Sequence, residues 1–335
     1  MRKNLTLFQK LDAALDALRN LGERQQKLEN LIHQKTLSAD DLVKVNPLLR
    51  RNTIANDAAV QKQLIASWEA SPPTVLAHRD LVKYGFRAFS QNDEDGILLR
   101  LFAQIGTTNC YAIEIGSNCN HSDIGIPENL TTNLIINHGW HASVIELEEI
   151  ECSRMRYFFA RAHATQHYHW EREGVNTYYS PNIVQQMVSP ENINEVLIAA
   201  NPQLEPDLLI LDIDGGDYAV MEKVTAIRPR VVVVEFEKRF RDRYSVVQPD
   251  RNEFSKRWQQ SGATSLNAWI KLFDLKGYRL CTVGTCSYNA FFVRADVAEG
   301  RLETLSASEA YESHPVFSSI SEDFWVVPDE SWVAV

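Results

Sequence analysis

The pattern of apolar and polar positions changes character along the chain. Leu7, Leu11, Leu18, Leu21, Leu28 and Ile32, with Ala14 and Gln25 in the same register, fall on a heptad-like seam. Such spacing predicts helix, either a coiled coil or helical hairpin or an amphipathic helix packed on its own domain. A second helical stretch runs from about Ile54 to Ala70, and Ser71-Pro72-Pro73 ends it, because proline cannot continue the backbone ladder. From Glu94 to Ile105 the apolar positions Ile97, Leu98, Leu101, Phe102 and Ile105 share one helical face. Beyond it the apolar residues come in short continuous runs: Tyr111 to Ile115, Ala142 to Leu147, Leu208 to Ile213 and Val231 to Phe236. Buried parallel strands look like this, and helical patterns between them predict an α/β fold. Tyr278 to Val283 and Ala290 to Val293 are joined by a connection too short for a crossover helix, which predicts an antiparallel hairpin.

These patterns divide the chain into a helical N-terminal region, 1–73, an α/β domain, 77–300, and a tail, 301–335. The tail is acidic and aromatic, with Glu322-Asp-Phe-Trp325 and Trp332, and is expected to pack on the core or on a partner subunit. The 335 residues suffice for one large domain with an appendage, or for two domains. A net charge of -10 argues against a general nucleic-acid surface, which would be basic. Five cysteines without close pairing give no disulfide framework and suggest reduced thiols in a cytoplasmic protein. The basic start Met1-Arg-Lys is followed by Gln9, Lys10 and Asp12 rather than a signal-peptide core. No apolar run of about 18 residues predicts a membrane span.

Several motifs carry candidate chemistry. Glu114-Ile-Gly-Ser-Asn118 closes the first strand, and Gly116 lacks the Cβ that would keep backbone away from a bound nucleoside. The Gly-x-Gly-x-x-Gly fingerprint is missing, which disfavours a dinucleotide. One βαβ unit later, Glu146 ends Val144-Ile-Glu146, where an acid can accept hydrogen bonds from ribose hydroxyls. The plain alternative is a surface glutamate. Leu208-Leu-Ile-Leu-Asp-Ile-Asp-Gly-Gly-Asp217 puts three acids after a strand, able to bind a hard cation such as Mg²⁺ through Asp212, Asp214 and Asp217, or to supply a general base. Alternation along a strand would put Asp212 and Asp214 on one face, where like charges push a pKa upward. Glu235 and Glu237, in Val234-Glu-Phe-Glu237, are expected either in the same cleft or as partners of Lys238 or Arg239. His163, His167 and His169 have partial zinc spacing, but no third or fourth ligand follows at obvious spacing.

Taken together the segments resemble the FkbM-type family of S-adenosylmethionine (SAM)-dependent methyltransferases. The resemblance spans about Phe86 to Arg294 and rests on Phe89-Ser-Gln-Asn-Asp-Glu-Asp95, Ala112-Ile-Glu-Ile-Gly116, Glu128-Asn-Leu-Thr-Thr-Asn-Leu134, His138-Gly-Trp140 and Val144-Ile-Glu146. It continues through Val188-Ser-Pro-Glu-Asn-Ile-Asn194, Asp207 to Asp217, Pro229-Arg-Val-Val-Val-Val-Glu235, Lys276-Gly-Tyr278 and Asn289-Ala-Phe-Phe-Val293. It implies a Rossmann-like class I sheet of seven strands ending in an antiparallel hairpin. It also implies that Glu114, Gly116 and Ser117 line the methionine side of SAM, beside Asn118. Glu146 would hold the ribose, Val188 and Ser189 flank the adenine, and Ser90 and Gln91 close over the cofactor. The sequence departs from the family at Cys119-Asn-His121, where Asp-Gly is usual.

The expectation is therefore an O-methyltransferase acting on a hydroxyl of a sugar, glycan or natural product. Asp214 is the first candidate base, Asp212, Asp217 and Glu235 support it, and His121 is the other candidate, with a pKa near neutrality. The N-terminal helices would make the protein a homo-oligomer. Other classes compete. Asp212-x-Asp214 also reads as the metal motif of a glycosyltransferase. Asp-x-Asp-Gly resembles the nucleophile loop of haloacid-dehalogenase phosphatases, although that loop normally opens its domain. A scaffold with a vestigial nucleotide fold is the non-enzymatic alternative.

Overall fold

In the computed structural model the described residues are 47–117, 119, 127–161, 170–172, 175–177, 180–200, 203–248, 264–286, 288–317 and 320–335. The N-terminal seam, Asn118, His121 and the three histidines from 163 to 169 lie outside them.

Seven strands form the main sheet: β1 Tyr111–Ile115, β2 His141–Glu146, β3 Asn182–Gln185, β4 Leu208–Leu211, β5 Val231–Glu235, β6 Tyr278–Val283 and β7 Asn289–Arg294. Their spatial order is β3-β2-β1-β4-β5-β7-β6. The first five are parallel, and β7 runs antiparallel to both neighbours, β5 and β6. The hairpin and the seven-stranded Rossmann-like sheet are as expected. β4 stops at Leu211 rather than continuing to Ile213, and β3 was not foreseen.

The strands are apolar on both faces because both are covered. Along β5, Val231 and Val233 enter one core while Val232 and Val234 enter the other, and all four are at most 1% exposed. Burying such a side chain contributes about 1.5 kcal/mol. The first core takes Ile97, Leu98, Leu101 and Phe102 from the helix Glu94–Ile105, and Met155 and Phe159 from Glu149–Arg161. The second takes Val220 and Met221 from Asp217–Lys223, and Trp269 and Phe273 from Leu266–Lys276. Helices thus cover both faces, the arrangement that an all-apolar parallel strand requires.

The helix before the proline pair runs from Pro47 to Ala70, while the division between compact units falls earlier, between Thr53 and Ile54. Within the larger unit Trp68 packs edge-on against Tyr84, and Gln61 Oε1 accepts Asn133 Nδ2 at 3.0 Å. The tail lies on the core. Trp332 meets Phe240 with ring centres 4.6 Å apart, and Val333–Ala334 pairs antiparallel with Val246–Val247. Among the described residues, no helix is long and apolar enough to cross a membrane.

Running outward from β1, the chain builds β2 and β3 and then returns to place β4 on the other side of β1. Ligands of such sheets bind outside the carboxyl ends of the strands where this reversal occurs.

Candidate active site at the carboxyl ends of the strands

At that reversal lies a cavity of about 610 Å³, within the ~300–1,000 Å³ usual for small-molecule sites. Gly116 and Ser117 after β1, Glu146 at the end of β2 with Leu147 and Glu148 after it, Met187 and Val188 after β3, and Asp212 to Asp214 after β4 line it.

Gly116 has φ +82, and a Cβ built on it would stand 1.6 Å from the carbonyl oxygen of Asp212. The expected reason for a glycine here was room for a ligand. The structure gives another: two backbone loops touch. Asp212 N–H donates to Ile115 O at 2.9 Å, so the β1 and β4 ladders stay joined to the edge of the cavity.

Ser117 N–H donates to Glu146 Oε2 at 2.9 Å, and Glu148 N–H donates to Glu146 Oε1 at 2.8 Å. Each oxygen keeps a lone pair, because a carboxylate has about four acceptor positions. Glu114 also lines the cavity but is buried. It accepts the N–H groups of Leu130 at 2.9 Å and Thr131 at 3.0 Å, together with the Thr131 hydroxyl. These are free donors at the start of the helix Thr131–His138, which lacks a side-chain cap at its own N-cap position, so Glu114 caps it from the sheet. Burial pushes the Glu114 carboxyl up to about 7, against the pull of the Thr131 hydroxyl.

Beyond β4 the chain leaves the extended region. Asp214 has φ +52, and Gly215 and Gly216 are also positive. Strand alternation therefore does not relate Asp212 to Asp214. The turn brings them together instead, and Glu235 joins them from the end of β5: one oxygen of each lies within 4.8 Å of the others. Asp217 is not in this group, contrary to expectation. Its two oxygens accept Ile213 N–H and Gly215 N–H, each at 2.9 Å, so it clamps the turn. Burial first, then the carboxylates of Asp217 and Asp214, push Asp212 up to about 8. Burial, then Asp212, pushes Glu235 up to about 9. Glu237 faces elsewhere and is held by both Arg239 Nε, at 3.0 Å, and Nη2, at 2.9 Å.

Two residues expected at the cofactor stand off the wall. Ser90 is fully buried, with its hydroxyl on Asp95 at 2.9 Å, and only its neighbour Gln91 lines the cavity. Ser189 is not among the described lining residues, and its N–H donates to Asn192 Oδ1 at 2.8 Å. The structure adds Glu128, Asn129, Glu151, Gln186, Tyr288 and Asn289 to the wall. The acid run from Glu146 to Glu151 was a visible hint for Glu151. Nothing local marked Tyr288 or Asn289, which a hairpin delivers. Among the described lining residues none is Lys, Arg or His.

A family model described as the methyltransferase FkbM domain matches residues 98–280. The chain belongs to that family and is a SAM-dependent methyltransferase. Asp212-Ile-Asp214 therefore belongs to a methyltransferase rather than a glycosyltransferase, and three strands of the same sheet precede it, unlike the phosphatase loop. None of the curated proteins matches the sequence. Among solved structures, the O-methyltransferase from Bacillus cereus in complex with SAH is 16% identical, over 70% of this chain and 88% of that one, with a TM-score of 0.33. The N-terminal domain of EvdMO1 with SAH bound is 13% identical, over 67% and 98%, with a TM-score of 0.34.

Proposed function

We propose that the protein methylates a hydroxyl oxygen of a sugar, glycan or natural product. The observation that carries this reading is the meeting of Asp212, Asp214 and Glu235 in the cavity that also holds Glu146. A cavity wall with carboxylates and no described cation suits a sulfonium cofactor and a neutral acceptor.

Glu146 receives the ribose hydroxyls on the lone pairs left by Ser117 and Glu148. Glu114, Gly116 and Ser117, with Asn118, form the methionine side, Val188 meets the adenine, and Gln91 closes the opening. Bound there, SAM supplies an electrophilic methyl group, which the acceptor oxygen takes as the sulfur–carbon bond breaks and its electron pair stays on sulfur. The acceptor proton passes to a carboxylate oxygen of Asp214, the exposed member of the cluster. Asp212 and Glu235 hold the acceptor hydroxyl beside it, and alignment supplies most of the rate. His121 is the other candidate base.

Calorimetry with SAM, followed by a methyl-transfer screen over glycans and hydroxylated small molecules, tests the reading. Absence of SAM binding, or transfer to nitrogen or carbon acceptors only, overturns it.

The oxygen cluster also favours a second reading, in which Asp212, Asp214 and Glu235 hold a divalent cation such as Mg²⁺ that lowers the acceptor's pKa. Turnover that survives exhaustive chelation rejects it. The N-terminal seam further supports a homo-oligomer. Because Gln61 and Trp68 pack on the sheet unit, the informative deletion is residues 1–46, with light scattering as readout; a full-length monomer refutes the oligomer.

A further inference from the structure

The first turn of the helix Glu94–Ile105, with the residue before it, presents three consecutive acids, and each holds a different piece of chain. Asp93 accepts the N–H of Thr285 at 3.1 Å. Glu94 Oε2 accepts the N–H of Asn92 at 2.9 Å, and its Oε1 accepts Asn289 Nδ2 at 2.9 Å. Asp95, 1% exposed, does the most. A single oxygen, Oδ2, accepts the N–H groups of Ala88, Phe89 and Ser90 at 2.7, 2.7 and 2.8 Å, and the Ser90 hydroxyl at 2.9 Å. Successive amides converging on one anion form a nest.

Acids at a helix start ordinarily serve their own helix, by capping or by meeting its dipole. Here Asp95 and one oxygen of Glu94 serve the chain before it. Gln91 is exposed and lines the cavity, while the residue before it is tied to Asp95 and the residue after it to Glu94. Asp95 is also kept at a cost. Its Oδ1 is buried with no hydrogen-bond partner, and burial raises its carboxyl to about 6 in spite of the four donors. A buried acid with a bare oxygen is a poor device for stability alone.

We propose that Asp95 is a positioning residue for the cofactor: through the backbone of residues 88–90 it sets Gln91 against bound SAM. The proposal rests on the reading of the cavity as the SAM site.

The test is a double-mutant cycle on the full chain, with SAM affinity measured by calorimetry and thermal stability recorded beside it. Asp95→Asn and Gln91→Ala should each weaken SAM binding about tenfold, and the double variant should lose no more than about tenfold, because both changes remove one contact. Losses that multiply to about a hundredfold overturn the proposal, as does an Asp95→Asn protein that is less stable yet binds SAM normally. If Asp95→Asn does not fold, Ser90→Ala takes its place in the cycle and the same coupling decides. A wild-type protein that binds no SAM removes the SAM reading itself, and the proposal with it; binding by the wild type with additive losses removes the proposal alone.

Discussion

Gly116 and Asp212 touch backbone to backbone, 1.6 Å separating the place of a would-be Cβ from a carbonyl oxygen. The β1 and β4 loops can be this close only because one of them lacks a side chain. Gly116→Ala should therefore cost about 3 kcal/mol of folding stability in the absence of any ligand, since overpacking adds to a strained φ. Denaturant unfolding of the ligand-free protein checks this. A variant of normal stability that only loses SAM would return the glycine to its ligand-approach role.

Glu146 holds two backbone amides and lines the cavity. Glu146→Ala should weaken SAM binding by about tenfold to a hundredfold. Binding of free methionine, which carries no ribose, should be unaffected, and an equal loss for both ligands would contradict the ribose role.

Asp214→Asn should lower turnover about a hundredfold or more while SAM affinity stays within about threefold of wild type. The comparison with His121→Ala assigns the proton. Full turnover in Asp214→Asn with loss in His121→Ala moves the base to the histidine.

The pH dependence has a definite sign. Asp212 and Glu235 rise from ordinary carboxylate values of 3.8 and 4.5 to about 8 and about 9. Groups raised on folding stabilise the fold while protonated, and that contribution disappears as pH climbs through the raised values. Thermal stability should fall from about pH 4 to about pH 9, the span between the ordinary and the raised values, and Glu235→Gln should flatten the fall. An identical profile in the variant would show that the loss arises elsewhere.

The opposite sign applies to Asp207, fully buried at the other end of β4. It accepts the N–H groups of Asn109 at 2.9 Å and Cys110 at 2.7 Å, and Arg230 Nη1 at 2.7 Å. Burial alone would raise its pKa, but Arg230 and the amides of Asn109 and Thr108 outweigh burial and hold it below 3.8. Its contribution is present above that value and is lost as pH falls. Asp207→Ala should cost about 3–5 kcal/mol, because it strands a buried guanidinium. A change below about 1 kcal/mol in denaturant unfolding would contradict this.

Most of the sheet was legible because its strands are buried on both faces and read as unbroken apolar runs. β3 was not. Asn182 and Gln185 are polar ends on an edge strand that pairs with β2 alone, so no apolar run marks it. Among the site residues, Glu146 and Gly116 could be placed by their position after strands. The turn from Asp212 to Asp217 could not, because the positive φ values that turn Asp214 toward Glu235 and Asp217 into a clamp follow from no pattern of spacing. The link between Asp95 and Ser90 was equally hidden, since an acid at a helix start is already accounted for by the helix.

Only four residues, Leu208–Leu211, separate Asp207 from Asp212. One strand therefore carries a tightly held anion at its lower end and a reluctant acid at its upper end. Falling pH unfastens the bottom of the sheet and rising pH the top. The two boundaries of the pH response thus lie at the ends of a single element, whatever the net charge of -10. Shifting either boundary should leave the other in place.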